Sequence, residues 1–144
     1  MDFPEMTSAD DFTLPPRLAA DTVAVGDLAL CRALLSRNAC WPWLILVPRR
    51  VGAVEIHRLA TADQIQLMAE ITQASQVMEA AFAPDKLNVA AIGNMVPQLH
   101  VHVVARKRED AAWPGPIWGS GHERAYAAGE AEALARRLAV DLGL

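Results

Sequence analysis

The chain has 144 residues, 53% of them hydrophobic, and its formal net charge is −4 at pH 7. This length suits one domain with its own core, so we predict a single domain over residues 1–144. A negatively charged chain lacks the basic face that displaces phosphate counterions, which argues against binding of long nucleic acid. The two cysteines, Cys31 and Cys40, are too few for a disulfide framework and are predicted to serve in packing.

The apolar residues occur in short runs. The longest ends at Val47 and falls far short of the roughly twenty residues that a membrane span needs. The N-terminus is acidic and lacks the basic stretch and apolar run of a signal peptide. We therefore expect a cytoplasmic protein with no membrane partner.

The first half of the chain predicts an arm followed by strands. Residues 1–20 mix acids, prolines and alanines without a clear period, and we predict an irregular arm. Residues 22–35 are β-branched and apolar with a Gly-Asp pair in the middle, which indicates two strand segments meeting at a turn or bulge. A polar loop precedes another predicted strand over residues 43–47.

A long helix is predicted next. Thr61 and Gln64 have the spacing of a capping box, and apolar residues recur at roughly helical spacing up to about Phe82. Met68 and Met78 lie on this apolar stripe and are predicted to be core residues.

The second half of the chain predicts two further strands and a second helix. One strand begins at residue 86, and the other covers residues 98–106 after a turn-like connection. Ser120 and Glu123 form a second potential capping box, which would open an Ala/Glu/Arg-rich helix towards Leu142. Strands interrupted by one long central helix and followed by a C-terminal helix predict an α+β fold with a mainly antiparallel sheet.

The predicted strand over residues 98–106 contains two histidines one residue apart. Side chains alternate between the faces of a strand, so Gln98, His100 and His102 share one face and the apolar residues between them share the other. Residues separated by two positions along a strand lie about seven ångströms apart, so both histidine rings can reach one phosphorus atom. Because the pKa of imidazole lies near neutrality, one ring can be a nucleophile while its neighbour serves as an acid.

Three interpretations of this histidine pair remain open on these residues alone. The histidines could lie on a solvent-facing strand surface without a chemical role. They could begin a metal site, with His57, His122, Asp110 or a cysteine as the third ligand. They could perform covalent chemistry at phosphorus. No third ligand lies at a diagnostic spacing, so no metal is predicted.

The sequence "QLHVHVV" at residues 98–104 resembles the signature of the histidine-triad superfamily, in which three histidines alternate with apolar residues. Gln98 stands in place of the first histidine. An asparagine in the preceding predicted strand, a Gly-Asn turn, an arginine after the motif and a Trp-Pro segment beyond it are similar to the nucleotide-hydrolase branches. The resemblance covers residues 28–118. It implies a histidine-triad-like fold and a homodimer.

The resemblance also implies an activity. His100 would attack the α-phosphorus of a nucleoside phosphoramidate or a dinucleoside polyphosphate and form a nucleotidyl-histidine, which water then resolves. His102 would contact the phosphate and the leaving-group side, and no cofactor is needed. Gln98 cannot titrate but keeps a positioning role. The alternative is a non-catalytic nucleotide-binding or regulatory protein with a decayed triad.

The resemblance implies roles for four further residues. Asn88 and Asn94 would contact phosphate or the leaving group, because amide donors suit oxyanions. Asn38 lies in the loop where the family often places an acid for the ribose hydroxyls. Trp43 occupies the position of an additional histidine, and we expect it to pack beside the nucleotide or in the core.

Overall fold

The computed structural model describes residues 11–144, so half of the predicted N-terminal arm lies outside this range. The prediction of an irregular arm is wrong from Pro16 onwards, where helix α1 (Pro16–Asp21) begins. Proline suits a first helical turn, because its fixed φ is helical and its missing N–H would have no partner there. The buried side chain of Leu18 anchors this helix to the domain.

Five strands form one antiparallel sheet, in the order β1-β2-β3-β5-β4. The predicted pair of strand segments is confirmed as β1 and β2, with an irregularity between Ala24 and Gly26. The other elements follow the predicted order, which confirms the α+β class. Their bounds are β1 (Thr22–Asp27), β2 (Cys31–Ser36), β3 (Trp43–Pro48), α2 (Thr61–Phe82), β4 (Lys86–Ala90), β5 (Val101–Arg106) and α3 (Glu130–Asp141).

The strand order matters for the site. β5 is the last strand along the chain, but in the sheet it lies between β3 and β4, so its residues have strand neighbours on both sides. His102 pairs with Ile45 of β3 and with Ala90 of β4. This register brings residues from two distant segments, β3 and β4, next to the histidine motif.

The main core lies on one face of the sheet, under α2 and α3. The apolar row of the histidine strand faces this core, as the alternation predicts: Leu99, Val101, Val103 and Ala105 are all buried. Met78 of α2 is also in the core, as predicted. The prediction for Met68 is wrong, because the buried stripe of α2 passes through Leu67, Glu70, Ile71, Ala74 and Met78 and leaves Met68 61% exposed.

Neither predicted capping box forms. Helix α2 does begin at Thr61, but its N-cap is Ala60 and no side chain caps it. The Gln64 amide instead donates to the Leu59 carbonyl at 2.9 Å. Thr61 therefore lies inside the first turn, where its hydroxyl cannot act as an N-cap group.

The second helix begins later than predicted. Ser120 and Glu123 lie in the loop before α3, which starts at Glu130 after Gly129 in the left-handed conformation. The Ser120 hydroxyl accepts from the backbone N–H of His122 at 3.4 Å, a local turn contact that competes with capping. Among residues 11–144, no helix is long and apolar enough to cross a membrane.

Candidate active site

His100 lies directly before β5 and His102 lies within it, both on the face opposite the main core. β5 begins at Val101 and not at Gln98, because the Leu99 N–H donates to the Ala53 carbonyl outside the ladder of β5. His100 and His102 are each 6% exposed, so they do not lie on a solvent-facing surface. Their ring centroids are 5.0 Å apart and the rings are nearly perpendicular. The rings therefore lie closer together than the strand rise alone predicts.

A backbone contact fixes the tautomer of the His100 ring. Its Nδ1 lies 2.7 Å from the carbonyl oxygen of Gln98. A carbonyl oxygen only accepts, so Nδ1 must carry the hydrogen. In the neutral ring the Nε2 atom then holds the free lone pair, which is the state that a nucleophilic histidine requires.

A side-chain contact fixes His102 in the opposite state. The indole Nε1–H of Trp43 donates to His102 Nδ1 at 2.9 Å. Indole nitrogen is a donor only, so Nδ1 of His102 is unprotonated and Nε2 carries the hydrogen. Burial lowers the pKa of His102 to about 4, and electrostatic repulsion between the His102 and His100 rings adds to the effect. His102 is therefore a neutral hydrogen-bond donor near pH 7.

Two tryptophans enclose His102. The ring centroid of Trp43 lies 5.5 Å from that of His102. The centroid of Trp118 lies 5.3 Å from it, and this pair is in an edge-to-face arrangement. The structure thus gives Trp43 a polar contact that its sequence position alone did not reveal. The contact depends on the pairing of β3 with β5, which places Trp43 opposite Val104 and which no local sequence signal reveals.

Both histidines line a cavity of about 260 Å³, here called the histidine cavity. Helix α1, strand β3 and the loop after β4 form its walls. Its lining residues are Arg17, Leu18, Asp21, Thr22, Ser36, Trp43, Ile45, Ile92, Met95, Val96, His100, His102 and Trp118.

A second cavity of about 410 Å³, here called the loop cavity, reaches His100 from another side. Asn94 is exposed and lines this cavity, together with Glu55, His57 and Gly93. Gly93 approaches closely: a Cβ there would lie 2.8 Å from the Val96 carbonyl oxygen and 3.3 Å from His100 Cε1. The turn therefore needs glycine at this position to pack against the His100 ring.

Asn88 lies on the sheet face of His102 but is tied to a buried arginine. Its Oδ1 accepts from Arg106 Nη1 at 2.8 Å, which directs the amide N–H groups away from Arg106. Arg106 is 1% exposed and also contacts Asp110 through two hydrogen bonds of 2.8 and 3.1 Å. It donates to the Gly115 carbonyl as well. This contact set joins β4, β5 and the loop that leads to Trp118.

The Gln98 side chain donates to backbone carbonyls and not to the histidine rings. Its Nε2 donates to the carbonyl oxygens of Pro48 and Leu99 at 3.3 and 3.4 Å, long distances for such bonds. The group of Gln98 that touches His100 is its backbone carbonyl. The contact that orients His100 thus does not depend on which side chain occupies position 98.

Asn38 lies away from the histidine cavity. Its Nδ2 donates to the His122 carbonyl at 3.0 Å, and its Oδ1 accepts from the backbone N–H groups of Cys40 and Arg124. Both ends of the amide therefore hold the loop after β2 against the segment before α3.

No group of three or more His, Cys, Asp or Glu side chains within residues 11–144 is arranged to hold a metal ion. Asp110, one of the potential third ligands, is paired with Arg106, which holds the pKa of that carboxyl far below its usual range. His57 and His122 are both exposed. Cys31 is fully buried, and burial together with Glu70 raises the pKa of its thiol.

The depressed pKa of His102 predicts a pH dependence of stability. The unfolded state binds the proton at a pKa near 6.5 and the folded state at about 4. Stability from the neutral ring is thus fully present above pH 6.5 and is lost as the pH falls towards 4. The integrated loss is roughly 3 kcal/mol.

Urea unfolding between pH 7 and 4 measures this loss, with His102→Asn as the control. Asparagine cannot titrate, so we expect the wild type to lose more stability than the variant across this window. Parallel pH profiles for the two proteins would show that His102 is not the group responsible.

The sequence and the structure were compared with known proteins. Residues 17–109 match the family model of the HIT domain. The structure is similar to a histidine triad protein from Bradyrhizobium japonicum, with 46% identity, a TM-score of 0.87, and coverage of 91% of this chain and 98% of that chain. It is also similar to one from Marinobacter aquaeolei, with 44% identity, a TM-score of 0.87, and coverage of 92% and 96%.

A third similar structure is a histidine triad protein from Sinorhizobium meliloti, with 39% identity, a TM-score of 0.89, and coverage of 93% and 99%. A comparison with curated proteins gives no match. The family model covers more than half of the chain and the three structures cover nearly all of it, so the chain belongs to the histidine-triad (HIT) family.

Proposed function

We propose that the protein hydrolyses a bond to the α-phosphorus of a small nucleotide, with His100 as the nucleophile. The observation that carries the proposal is the pair of hydrogen bonds that gives the two motif rings opposite tautomers. His100 presents a lone pair at Nε2, and His102 presents a hydrogen at its own Nε2. Both belong to one cavity and their ring centroids are 5.0 Å apart. A nucleophile and an adjacent donor are what attack on a phosphoryl group requires.

The reaction has two displacements. His100 Nε2 attacks the phosphorus, and the bond to the leaving group breaks with its electron pair, after which the leaving group takes a proton from solvent. Water then attacks the same phosphorus, the P–N bond to His100 breaks, and the water's surplus proton returns to solvent. The products are a nucleoside monophosphate and the protonated leaving group, and His100 recovers its lone pair.

Other residues have supporting roles in this proposal. His102 donates to a phosphate oxygen, and Asn88 and Asn94 donate to phosphate or to the leaving group. Gln98 orients His100 through its backbone carbonyl. Asn38 acts indirectly, because its amide already holds the loop after β2.

The charges near His100 favour a leaving group with little negative charge. In the described part of the chain, the charged residues that line the two cavities are Arg17, Asp21 and Glu55. Arg17 lies 4.0 Å from Asp21, so Glu55 gives the surroundings a net negative charge. A polyphosphate leaving group that lay in the loop cavity would be repelled by this carboxylate, whereas an amine would not.

Chromatography of the products tests the function. The purified protein is incubated with adenosine phosphoramidate and, separately, with dinucleoside polyphosphates. We expect release of nucleoside monophosphate, faster from the phosphoramidate. Binding of nucleotide without turnover on any member of the panel would instead support the non-catalytic nucleotide-binding protein.

Replacement of the glutamine is expected to have a small effect. Gln98→Ala keeps the backbone carbonyl that accepts from His100 Nδ1, so we predict turnover within about tenfold of the wild type, less than general acid–base groups contribute. Steady-state kinetics on the phosphoramidate measure the turnover of the variant and of the wild type. A loss as large as that of a nucleophile variant would show that the side chain of Gln98 takes part in the chemistry.

We also propose a cytoplasmic homodimer. β4 is an edge strand, and an unpaired edge is a template for pairing with a second chain. Large apolar side chains are exposed on β4 and α2, namely Val89, Ile65 and Met68. Light scattering at several protein concentrations tests the dimer, and a monomer at micromolar concentration would refute it.

A further inference from the structure

Trp43 has a polar role that packing does not explain. Its Nε1–H is directed at His102 Nδ1 at 2.9 Å, across strands β3 and β5. Protonation of His102 would place a second hydrogen on Nδ1, opposite the indole hydrogen. Two donors would then face each other, so the tryptophan favours the neutral ring and leaves its hydrogen on Nε2.

We propose that Trp43 is a positioning residue that holds His102 as a permanent neutral Nε2–H donor, so that His102 stabilises phosphoryl charge without transferring a proton. A neutral imidazole that gave up its hydrogen would become an anion, which is out of reach near pH 7. The neutral His102 ring, which keeps its Nε2 hydrogen, can still polarise a phosphate oxygen by hydrogen bonding. The effect on catalysis rests on the proposed function, whereas the tautomer of His102 does not.

Within residues 11–144, few titratable groups besides His102 line the histidine cavity. His100 lies beside it, and Arg17 and Asp21 line the same cavity. Arg17 and Asp21 lie within 4.0 Å of each other, so their charges largely offset. The His102 ring accepts a direct hydrogen bond from Trp43.

The cavity supplies a matched control. Trp118 also packs edge-to-face on His102, and its ring lies 5.3 Å away. Its Nε1 is buried with no hydrogen-bond partner among residues 11–144. Trp43→Phe and Trp118→Phe therefore remove the same N–H from two rings beside His102, but only the first removes a donor to Nδ1.

Nitrogen NMR of the histidine side chains, recorded without substrate, is the test. In the wild type we expect Nε2–H on His102, no titration of this ring near pH 6.5, and a scalar coupling across the Trp43–His102 hydrogen bond. Trp43→Phe is expected to raise the pKa of His102 by about 1 and to mix its tautomers, because one hydrogen bond to the neutral form is lost. Trp118→Phe is expected to leave the tautomer unchanged.

Two results would overturn the proposal. One is a wild-type His102 with its hydrogen on Nδ1, which requires no variant to detect and so does not depend on whether the variants fold. The other is an equal change of tautomer in both phenylalanine variants, which would reduce Trp43 to a packing role. Loss of turnover with an intact His102 tautomer would concern the proposed function and not this contact.

Discussion

His100→Ala is expected to abolish turnover, with a loss of at least about ten-thousand-fold in kcat on a nucleoside phosphoramidate. The reason is that alanine removes the atom to which the phosphorus transfers, and catalytic nucleophiles typically account for losses of this size or more. The histidine cavity keeps its other walls, so nucleotide binding should persist. Steady-state kinetics and equilibrium binding measure the two effects separately.

His122→Ala is the matched control for this variant. It also removes one imidazole, but His122 is exposed and lies outside both cavities that touch His100. We expect unchanged turnover. If His100→Ala retained turnover within a factor of ten while binding nucleotide normally, another residue would have to be the nucleophile.

Asp110→Ala is expected to have the largest effect on stability. It leaves the Arg106 guanidinium without its carboxylate partner in a site where Arg106 is 1% exposed. It also removes the acceptor for three backbone N–H groups, those of Lys107, Ala112 and Trp113. Breaking a buried pair from one side costs about 3–5 kcal/mol, a large part of the stability of a small domain.

An exposed ion pair of similar geometry supplies the control. Arg32 Nε donates to Asp27 at 2.8 Å, the same distance as between Arg106 and Asp110, but the Asp27 side chain is 41% exposed. Asp27→Ala should therefore cost no more than about 1 kcal/mol. Urea unfolding of both variants makes the comparison. Equal losses in the free energy of unfolding would show that burial does not determine how much the Arg106–Asp110 pair contributes to stability.

Local features of the fold follow from the sequence where the spacing along the chain sets the geometry. Alternation in residues 99–105 predicts the buried row on β5, because a strand repeats every two residues. Helical spacing predicts α2 up to Phe82. The capping boxes fail because a Ser/Thr-x-x-Glu/Gln pattern also occurs inside a first turn, as at Thr61, and inside a loop, as at Ser120.

The features that define the candidate site depend on strand order, which the sequence does not encode locally. Trp43 and His102 are 59 positions apart and meet only because β5 lies beside β3. Asn88 meets Arg106 through the pairing of β4 with β5. The motif predicts which histidines take part in the chemistry. Their tautomers are set by hydrogen-bond partners that only the three-dimensional structure identifies.

The stereochemical course at phosphorus tests the covalent role of His100 most directly. The protein is given a substrate with one configuration at a sulfur-substituted α-phosphorus in water enriched in heavy oxygen, and the configuration of the monophosphorothioate product is determined. Two successive displacements, the first by His100 Nε2 and the second by water, predict net retention. Net inversion would mean that water attacks the substrate directly, and it would contradict a nucleotidyl-histidine intermediate.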